Sequence, residues 1–251
     1  MVHFVGAGSG APDLITLRGK SLLEKADVII YAGSLVNPQL LSYAKSGCKI
    51  YNSAEMTLDE VISAMQQAEN EGKKTVRLHT GDPCLYGAVR EQMDALMRMN
   101  IDFDICPGVS SFCGAAAALK TEYTLPDVSQ SVIITRMAGK TKVPEKESIS
   151  SFASHGATMV IFLSTGLLKE LSKELIAGGY SPDTPAAVVY KATWDDEKIV
   201  RGTVEKLYEM ANENGITKTA LIVVGGCLGS DYELSKLYSP NFSTEFRQAK
   251  S

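Results

Sequence analysis

Short apolar runs alternate with amphipathic stretches along most of the chain. Between the runs, apolar residues recur at three- and four-residue spacing, as at Val61, Ile62 and Met65, which is typical of amphipathic helices. Thr57 and Glu60, at the start of this helix, have the spacing of a capping box. The runs that predict strands in the first half are residues 2–6, 27–31, 49–51, 75–79 and 103–106. Strands that alternate with helices predict an α/β fold around a parallel sheet.

The stretch KTEYTLPDVSQS, residues 120–131, is polar, contains a proline and has no apolar period. This composition predicts a linker, so we place a boundary near residue 120 and expect two α/β domains, 1–120 and 121–251. The segment WDDEKIVRGT has the spacing of a hairpin, which predicts that the second sheet is mixed. The predicted strands there are 131–135, 158–164, 186–190, 199–203 and 220–225, with helices near 167–176 and 204–212.

Composition and charge narrow the function classes. The chain has 251 residues, of which 45% are hydrophobic and 22% charged, and this is ordinary for a globular protein. Its 25 Lys and Arg residues do not outnumber its 29 Asp and Glu residues, which argues against nucleic acid as a partner. The five cysteines form no CxxC motif, and no apolar run reaches about 18 residues. We therefore expect a cytoplasmic protein that has no membrane contact.

The residue types of metal and nucleophilic sites show no suitable pattern. His3, His79 and His155 lie on separate predicted elements without carboxylates at ligand spacing, so structural roles are favoured over metal binding. There is no GxSxG motif for a serine nucleophile. We predict no metal site and identify no catalytic residue.

The glycine-rich stretch VGAGSGAP follows the first predicted strand. Gly6, Gly8 and Ala11 fit a GxGxxA dinucleotide fingerprint, but such a site also needs an acid after the second strand. That strand is followed instead by Ala32-Gly33-Ser34, and Asp27 opens the strand instead of closing it. A ligand other than NAD is favoured, while a tight turn and an NAD-dependent oxidoreductase stay open as alternatives.

Two further loops follow predicted strands and open helices. HTGDPCLYG, residues 79–87, follows the run TVRL, and PGVSSFCGAAAA begins at Pro107. Ligands of open α/β sheets bind at the carboxyl ends of strands, where both loops fall. In the alternative interpretation the first loop is a rigid connection in which Asp82 only caps backbone amides.

Taken in order, VGAGSGAPDLITLRG, ADVIIYAGSLV, RLHTGDPCLYG, PGVSSF, LIAGGYSPDTPAAVVYKAT and TALIVVGG resemble the motifs of the tetrapyrrole methylases. More narrowly, YAGSLV, NSAEMTLDEV, TRMAGKTKVPEKESI and ASHGATMVIFLS are similar to the branch that methylates C-11 of precorrin-4 or cobalt-precorrin-4 in cobalamin biosynthesis. The resemblance implies two α/β domains with S-adenosylmethionine in the cleft between them, and a homodimer. Another precorrin or uroporphyrinogen methylase, or a catalytically silent tetrapyrrole- or nucleotide-binding protein, is the alternative.

The resemblance also implies a set of cofactor-binding residues. The family often has proline where this chain has Ser9, which weakens a cofactor role for the first loop, and the uroporphyrinogen methylases have an acid in the turn at Ala32-Gly33-Ser34. The implied cofactor contacts are Thr80, Gly81, Asp82, Leu85, Ser110, Ser111, Phe162, Lys191 and Ala220.

A tetrapyrrole substrate carries many acetate and propionate carboxylates, which call for Arg and Lys around an apolar surface. Arg136 and Lys140 in the loop TRMAGK are our candidates for these contacts, with Tyr86 as an aromatic wall. The alternative for Lys140 is a solvated loop charge.

Overall fold

The computed structural model describes residues 1–249, which form two compact units. The first unit contains Met1–Ala118 together with Lys191–Lys198, and the second contains Leu119–Tyr190 and the chain from Ile199 onward. The sequence-based boundary at residue 120 did not anticipate that Lys191–Lys198 groups with the first unit.

The first unit is a parallel five-stranded sheet with helices on both faces. Its strands have the order β3-β2-β4-β1-β5, and every neighbouring pair is parallel. Two apolar clusters, one on each face, contain Phe4 and Met65 on one side and Leu23 and Leu78 on the other. The strands are β1 Val2–Gly6, β2 Val28–Tyr31, β3 Lys49–Asn52, β4 Thr75–His79 and β5 Phe103–Cys106, and the helices are α1 Leu17–Lys25, α2 Leu58–Asn70, α3 Arg90–Arg98 and α4 Ser111–Leu119.

The predicted capping box is confirmed at the start of α2. The Glu60 amide donates to Thr57 Oγ1 at 3.3 Å, and the Thr57 amide donates to Glu60 Oε2 at 2.7 Å. One expectation for this unit is wrong, because β2 is followed by the 3₁₀ helix Pro38–Tyr43 and not by an α-helix. A proline opens this segment, and only Leu40 in it is buried, so it lacks the apolar stripe of a longer helix.

The second unit is built on a mixed sheet of order β6-β7-β10-β8-β9, as the sequence predicted. β6 and β7 are parallel, whereas β10 is antiparallel to both β7 and β8. One apolar cluster, including Met159, Leu171 and Ile222, forms its core. The strands are β6 Val132–Arg136, β7 Thr158–Phe162, β8 Pro185–Tyr190, β9 Lys198–Thr203 and β10 Ala220–Val224, and the helices are α5 Ile149–Ala153, α6 Leu168–Ala177 and α7 Leu207–Glu213.

Candidate functional site

The carboxyl ends of β4, β1 and β5 lie side by side because these strands are neighbours in a parallel sheet. The loops that follow them are the glycine-rich stretch after Gly6, the stretch Thr80-Gly81-Asp82 and the stretch Pro107-Gly108. The Gly81 amide donates to the Gly8 carbonyl at 2.9 Å, and the Gly8 amide donates to the Gly81 carbonyl at 3.2 Å. The three motifs found in the sequence therefore meet at one edge of the first sheet.

Glycine is required at this edge because the loops touch through their backbones. A Cβ atom on Gly6 would lie 2.6 Å from the Gly108 Cα and 2.6 Å from the Gly81 oxygen. Gly81 also has a φ of +62°, a conformation that glycine adopts without a steric penalty. The surface where these loops meet is therefore formed mainly by backbone groups.

The carboxylate of Asp82 ties two of these loops together. Its Oδ1 accepts the Cys84 amide and its Oδ2 accepts the Gly108 amide, both at 2.8 Å. Partial burial opposes ionisation of this carboxyl, but the bonds from Cys84 and Gly108 outweigh burial and lower its pKa. The structure supports the backbone-capping interpretation of Asp82, which fixes the edge whether or not the carboxylate also contacts a ligand.

A buried network of hydrogen bonds supports the part of the loop that follows Asp82. Arg77 Nε donates to Gln92 Oε1 at 3.1 Å, and Gln92 Nε2 donates to the Ala88 carbonyl at 2.9 Å. Tyr86 and Ala88 both have left-handed φ values, +55° and +48°. Such backbone conformations persist in non-glycine residues only where the surroundings impose them. The Tyr86 side chain is 44% exposed.

His79 lies beneath this edge and is 4% exposed. Burial, with a smaller contribution from the nearby Arg77 cation, lowers its pKa to about 3. Its Nε2 atom has no hydrogen-bond partner within residues 1–249. The imidazole is therefore neutral at physiological pH and packs as a ring beside Phe4, at 6.2 Å between centroids.

Two other implied cofactor residues, Phe162 and Ala220, lie at one edge of the second sheet. Arg136, the last residue of β6, is in register with Phe162, the last residue of β7. β10 runs the opposite way, so its first residue, Ala220, pairs with Tyr190 at the end of β8, and Lys191 follows Tyr190. Strand register thus places Phe162 and Ala220 at the same edge as Arg136.

The Arg136 guanidinium is engaged by its own loop. Its Nη1 donates to the carbonyls of Met137 at 3.1 Å and Thr141 at 3.3 Å, and its Nη2 donates to the carbonyl of Lys142 at 2.8 Å. Lys140 is exposed at the tip of this loop. Arg136 therefore braces the loop 137–142, a role that the sequence did not suggest.

Two further residues at this edge were missed by sequence reasoning. Leu163 follows β7 and Thr219 precedes β10, and both have left-handed φ values, +52° and +58°. Leu163 is also 65% exposed, although it is a large apolar residue. Neither glycine nor asparagine marks these positions, so the sequence carries no signal for them.

The chain matches a known protein family over most of its length. Residues 1–208 match the family model of the tetrapyrrole (corrin/porphyrin) methylases. The chain belongs to the tetrapyrrole methylases. It is 56% identical over 249 residues to a cobalt-precorrin-4 C(11)-methyltransferase of Methanocaldococcus jannaschii, with 99% of this chain and 96% of that protein covered.

Two solved structures of tetrapyrrole methylases are similar in fold. A cobalt precorrin-4 methyltransferase has a TM-score of 0.89 and 48% identity, with 91% of this chain and 96% of that chain covered. A uroporphyrin-III C-methyltransferase from Thermus thermophilus, complexed with S-adenosylhomocysteine, has a TM-score of 0.74 and 25% identity, with 91% and 93% covered. The predicted fold class is confirmed.

In this tetrapyrrole methylase the predicted site residues fall into two groups. Those at the first edge come from the loops after β4 and β5, and Ser110 among them is buried. Arg136, Phe162 and Ala220 belong to the second edge. The Lys191 ammonium lies 2.6 Å from Asp196 Oδ2 and 5.1 Å from the centre of the Trp194 ring. The members of the first group are Thr80, Gly81, Asp82, Leu85, Tyr86, Ser110 and Ser111.

The thiols at the first edge do not have the character of nucleophiles. A hydrogen bond to Asp82 raises the pKa of Cys84, and burial raises the pKa of Cys113. Thiols with raised pKa values are protonated at neutral pH and react slowly. Within residues 1–249, no cluster of three His, Cys, Asp or Glu residues is arranged to hold a metal ion, and none of the helices is both long and apolar enough to cross a membrane.

Asp27, the acid considered for a dinucleotide site, has a structural role. Its carboxylate accepts a bond from Lys45 Nζ at 2.6 Å and from the Lys74 amide at 2.8 Å. It precedes β2, at the end of the sheet opposite the glycine loops. The geometry gives no support to the NAD alternative.

Proposed function

We propose that this chain transfers a methyl group from S-adenosylmethionine to C-11 of precorrin-4, with cobalt-precorrin-4 as the first choice of substrate. The similarity to a cobalt-precorrin-4 C(11)-methyltransferase over 99% of the chain carries this proposal. The glycine-lined edge of the first sheet agrees with it, because strand ends of this kind hold nucleotide-like ligands.

The first edge fits S-adenosylmethionine through its backbone. Gly6, Gly81 and Gly108 let three loops approach closely, because none of the three positions carries a side chain. We assign cofactor binding to Thr80, Gly81, Asp82 and Leu85 in one loop, and to Ser110 and Ser111 at the start of α4. The assignments of Phe162, Lys191 and Ala220 rest on the family resemblance.

When bound, S-adenosylmethionine supplies an electrophilic methyl group on a sulfonium. The residues of this chain would then contribute orientation and exclusion of water, which can provide most of the acceleration of a bimolecular transfer. A nucleophilic protein side chain is not needed, in agreement with the raised pKa values of Cys84 and Cys113. The base for any late proton loss is not assigned.

The structure changes the role that we propose for Arg136 in substrate binding. Three carbonyls of its own loop already accept hydrogen bonds from its guanidinium. We therefore propose that Arg136 shapes the loop from which the exposed Lys140 reaches substrate carboxylates, with at most its remaining N–H groups available to the substrate. Tyr86 stays our candidate for an aromatic wall.

Methyl transfer can be tested directly. Purified protein would be incubated with S-adenosylmethionine carrying a ¹³C methyl group and with either precorrin-4 or cobalt-precorrin-4, and the labelled carbon located by NMR. Label at C-11 supports the proposal, and the faster of the two substrates decides the cobalt question. Label at another ring carbon would favour a sister methylase, and binding without transfer would favour a silent binding protein.

We also propose that the protein works as a homodimer in the cytoplasm, as the family resemblance and the scattered free cysteines suggest. Light scattering coupled to size-exclusion chromatography would give the mass of the particle. A mass near twice 27.0 kDa supports the dimer, and a mass near 27.0 kDa contradicts it.

A further inference from the structure

The segment Lys191–Lys198, here called the docking segment, joins β8 to β9 in the chain but groups with the first unit. It has a fixed internal structure. The Trp194 amide donates to the Lys191 carbonyl at 3.0 Å, and the Thr193 amide donates to Glu197 Oε2 at 2.6 Å. Lys191 and Thr193 have left-handed φ values, +45° and +68°. A β-branched residue such as Thr193 adopts this conformation only under external constraint.

The constraint comes from the glycine-rich loop after β1. The Ala11 amide donates to Thr193 Oγ1 at 3.0 Å, and Ser9 Oγ lies 3.1 Å from the same oxygen. Ser9 is 4% exposed, so this hydroxyl pair is shielded from water on the Ser9 side. A Cβ atom on Gly10 would lie 2.5 Å from Trp194 Nε1 and 2.7 Å from the Ala192 carbonyl. The loop and the docking segment thus fit closely.

Ser9 and Thr193 are also connected, through neighbouring residues, to α4 and to the loop that contains Gly81. A Cβ atom on Gly114, in α4, would lie 2.6 Å from the Ser9 Cβ and 3.3 Å from Thr193 Cγ2. Gly8, next to Ser9, is bonded in both directions to Gly81. Thr193 is therefore one or two contacts away from both loops to which we assign cofactor binding.

We propose that Thr193 is a positioning residue for the cofactor site and that Ser9 is its partner. Its hydroxyl fixes the docking segment, and with it Lys191, against the loop that supports Gly81 and α4. The inference rests on the proposed use of S-adenosylmethionine.

Trp194 makes the proposal measurable, because it is the only tryptophan in the chain. Its fluorescence, and the access of acrylamide to it, report on the docking segment alone. Thr193→Val keeps the β-branched shape but removes the oxygen that accepts the Ala11 amide. Thr193→Ser keeps that oxygen. Thr203→Val is the matched control, because the buried Thr203 hydroxyl has no hydrogen-bond partner in residues 1–249.

The experiment measures the dissociation constant of S-adenosylhomocysteine by calorimetry, acrylamide quenching of Trp194 and the unfolding temperature for each variant. We expect Thr193→Val to weaken binding about tenfold and to increase quenching, because one hydrogen bond at the site is lost. Thr193→Ser should stay within about threefold of wild type, and Thr203→Val should bind as wild type does. Adding Ser9→Ala to Thr193→Val should cost little more, because the two hydroxyls form one contact.

The results that would overturn the proposed function differ from those that would overturn only the positioning role of Thr193. Wild-type protein that does not bind S-adenosylhomocysteine overturns the proposed function and this inference with it. If the wild type binds but Thr193→Val has unchanged affinity and unchanged quenching, only the positioning role is overturned. An affinity loss that follows the unfolding temperature equally in Thr193→Val and Thr203→Val also overturns it, because the effect would then be one of general stability.

Discussion

The two sheet edges meet the same need, an exact backbone shape, by different means. At the first edge glycines do this: Gly6, Gly81 and Gly108 bring loops into contact where a Cβ would not fit. At the second edge side chains hold the backbone, as Arg136 does for its loop and as Ser164 Oγ does by accepting the Met137 amide at 2.9 Å. A parallel sheet places the loops that follow its strands at one edge, whereas a mixed sheet brings strand ends and a strand start to the same edge. We therefore expect the first edge to lose its structure when a substitution adds side-chain atoms at a glycine. We expect the second edge to lose its structure when a substitution removes a supporting side chain.

The largest effect should come from Gly108→Ala. The new Cβ would lie 2.7 Å from the Gly6 Cα, and neither backbone can retreat without opening the edge. We expect S-adenosylhomocysteine affinity to fall by more than about a hundredfold and stability to fall by about 1–3 kcal/mol. Calorimetry and urea unfolding measure these. Gly166→Ala, where a Cβ meets open space in the second unit, is the control and should change neither.

Asp82→Ala should have the next largest effect. It removes a carboxylate that accepts two backbone amides, so a loss of about 1.5–3 kcal/mol in cofactor binding is expected, roughly ten- to a hundredfold in affinity. Circular dichroism should stay that of the wild type, because the loop lies at the end of the sheet. Unchanged affinity would show that glycine geometry alone maintains the first edge.

Acid should destabilise the first unit through His79. Its folded pKa is about 3, below the usual value near 6.5, so the unfolded chain takes up a proton at a higher pH than the folded chain does. Stability is therefore highest above pH 6.5 and falls as the pH drops toward 3, by about 2 kcal/mol between pH 6.5 and 4.5.

Urea unfolding followed by Trp194 fluorescence, which reports on the first unit, would measure this pH dependence. His79→Leu should flatten the curve over the same range. An equal slope in His79→Leu and wild type would assign the acid sensitivity to other groups.

Arg136→Ala should have the smallest effect, because the guanidinium is only partly buried and its partners are local carbonyls. We expect substrate affinity to fall about tenfold, with cofactor affinity unchanged. Titration with precorrin-4 in wild-type and Lys140→Ala backgrounds separates two mechanisms. Bracing that acts through Lys140 predicts little further loss from Arg136→Ala once Lys140 is removed, whereas direct contact of Arg136 with a carboxylate predicts an additional loss. Arg136→Lys should recover only part of the affinity, because lysine lacks the planar fork.

The sequence predicted the first edge better than the second for a physical reason. Glycine, proline and the capping pair of Thr57 and Glu60 act locally, so their spacing already indicates the loops and helix starts. Leu163 and Thr219 are ordinary residues forced into left-handed conformations by their surroundings, and local patterns do not contain that information. The docking of Thr193 on Ser9 joins residues 184 positions apart, which no local pattern encodes.

The interleaved course of the chain has a consequence for recombination among relatives. The chain passes between the units three times, after Ala118, Tyr190 and Lys198. A single cut at the first of these points would yield an amino-terminal fragment whose Ala11 amide and Ser9 hydroxyl have lost Thr193. Chimeras that exchange the second unit should therefore keep Lys191–Lys198 from the parent that supplies the first unit. Such a chimera needs three junctions, two more than a protein whose units are divided at a single point in the chain.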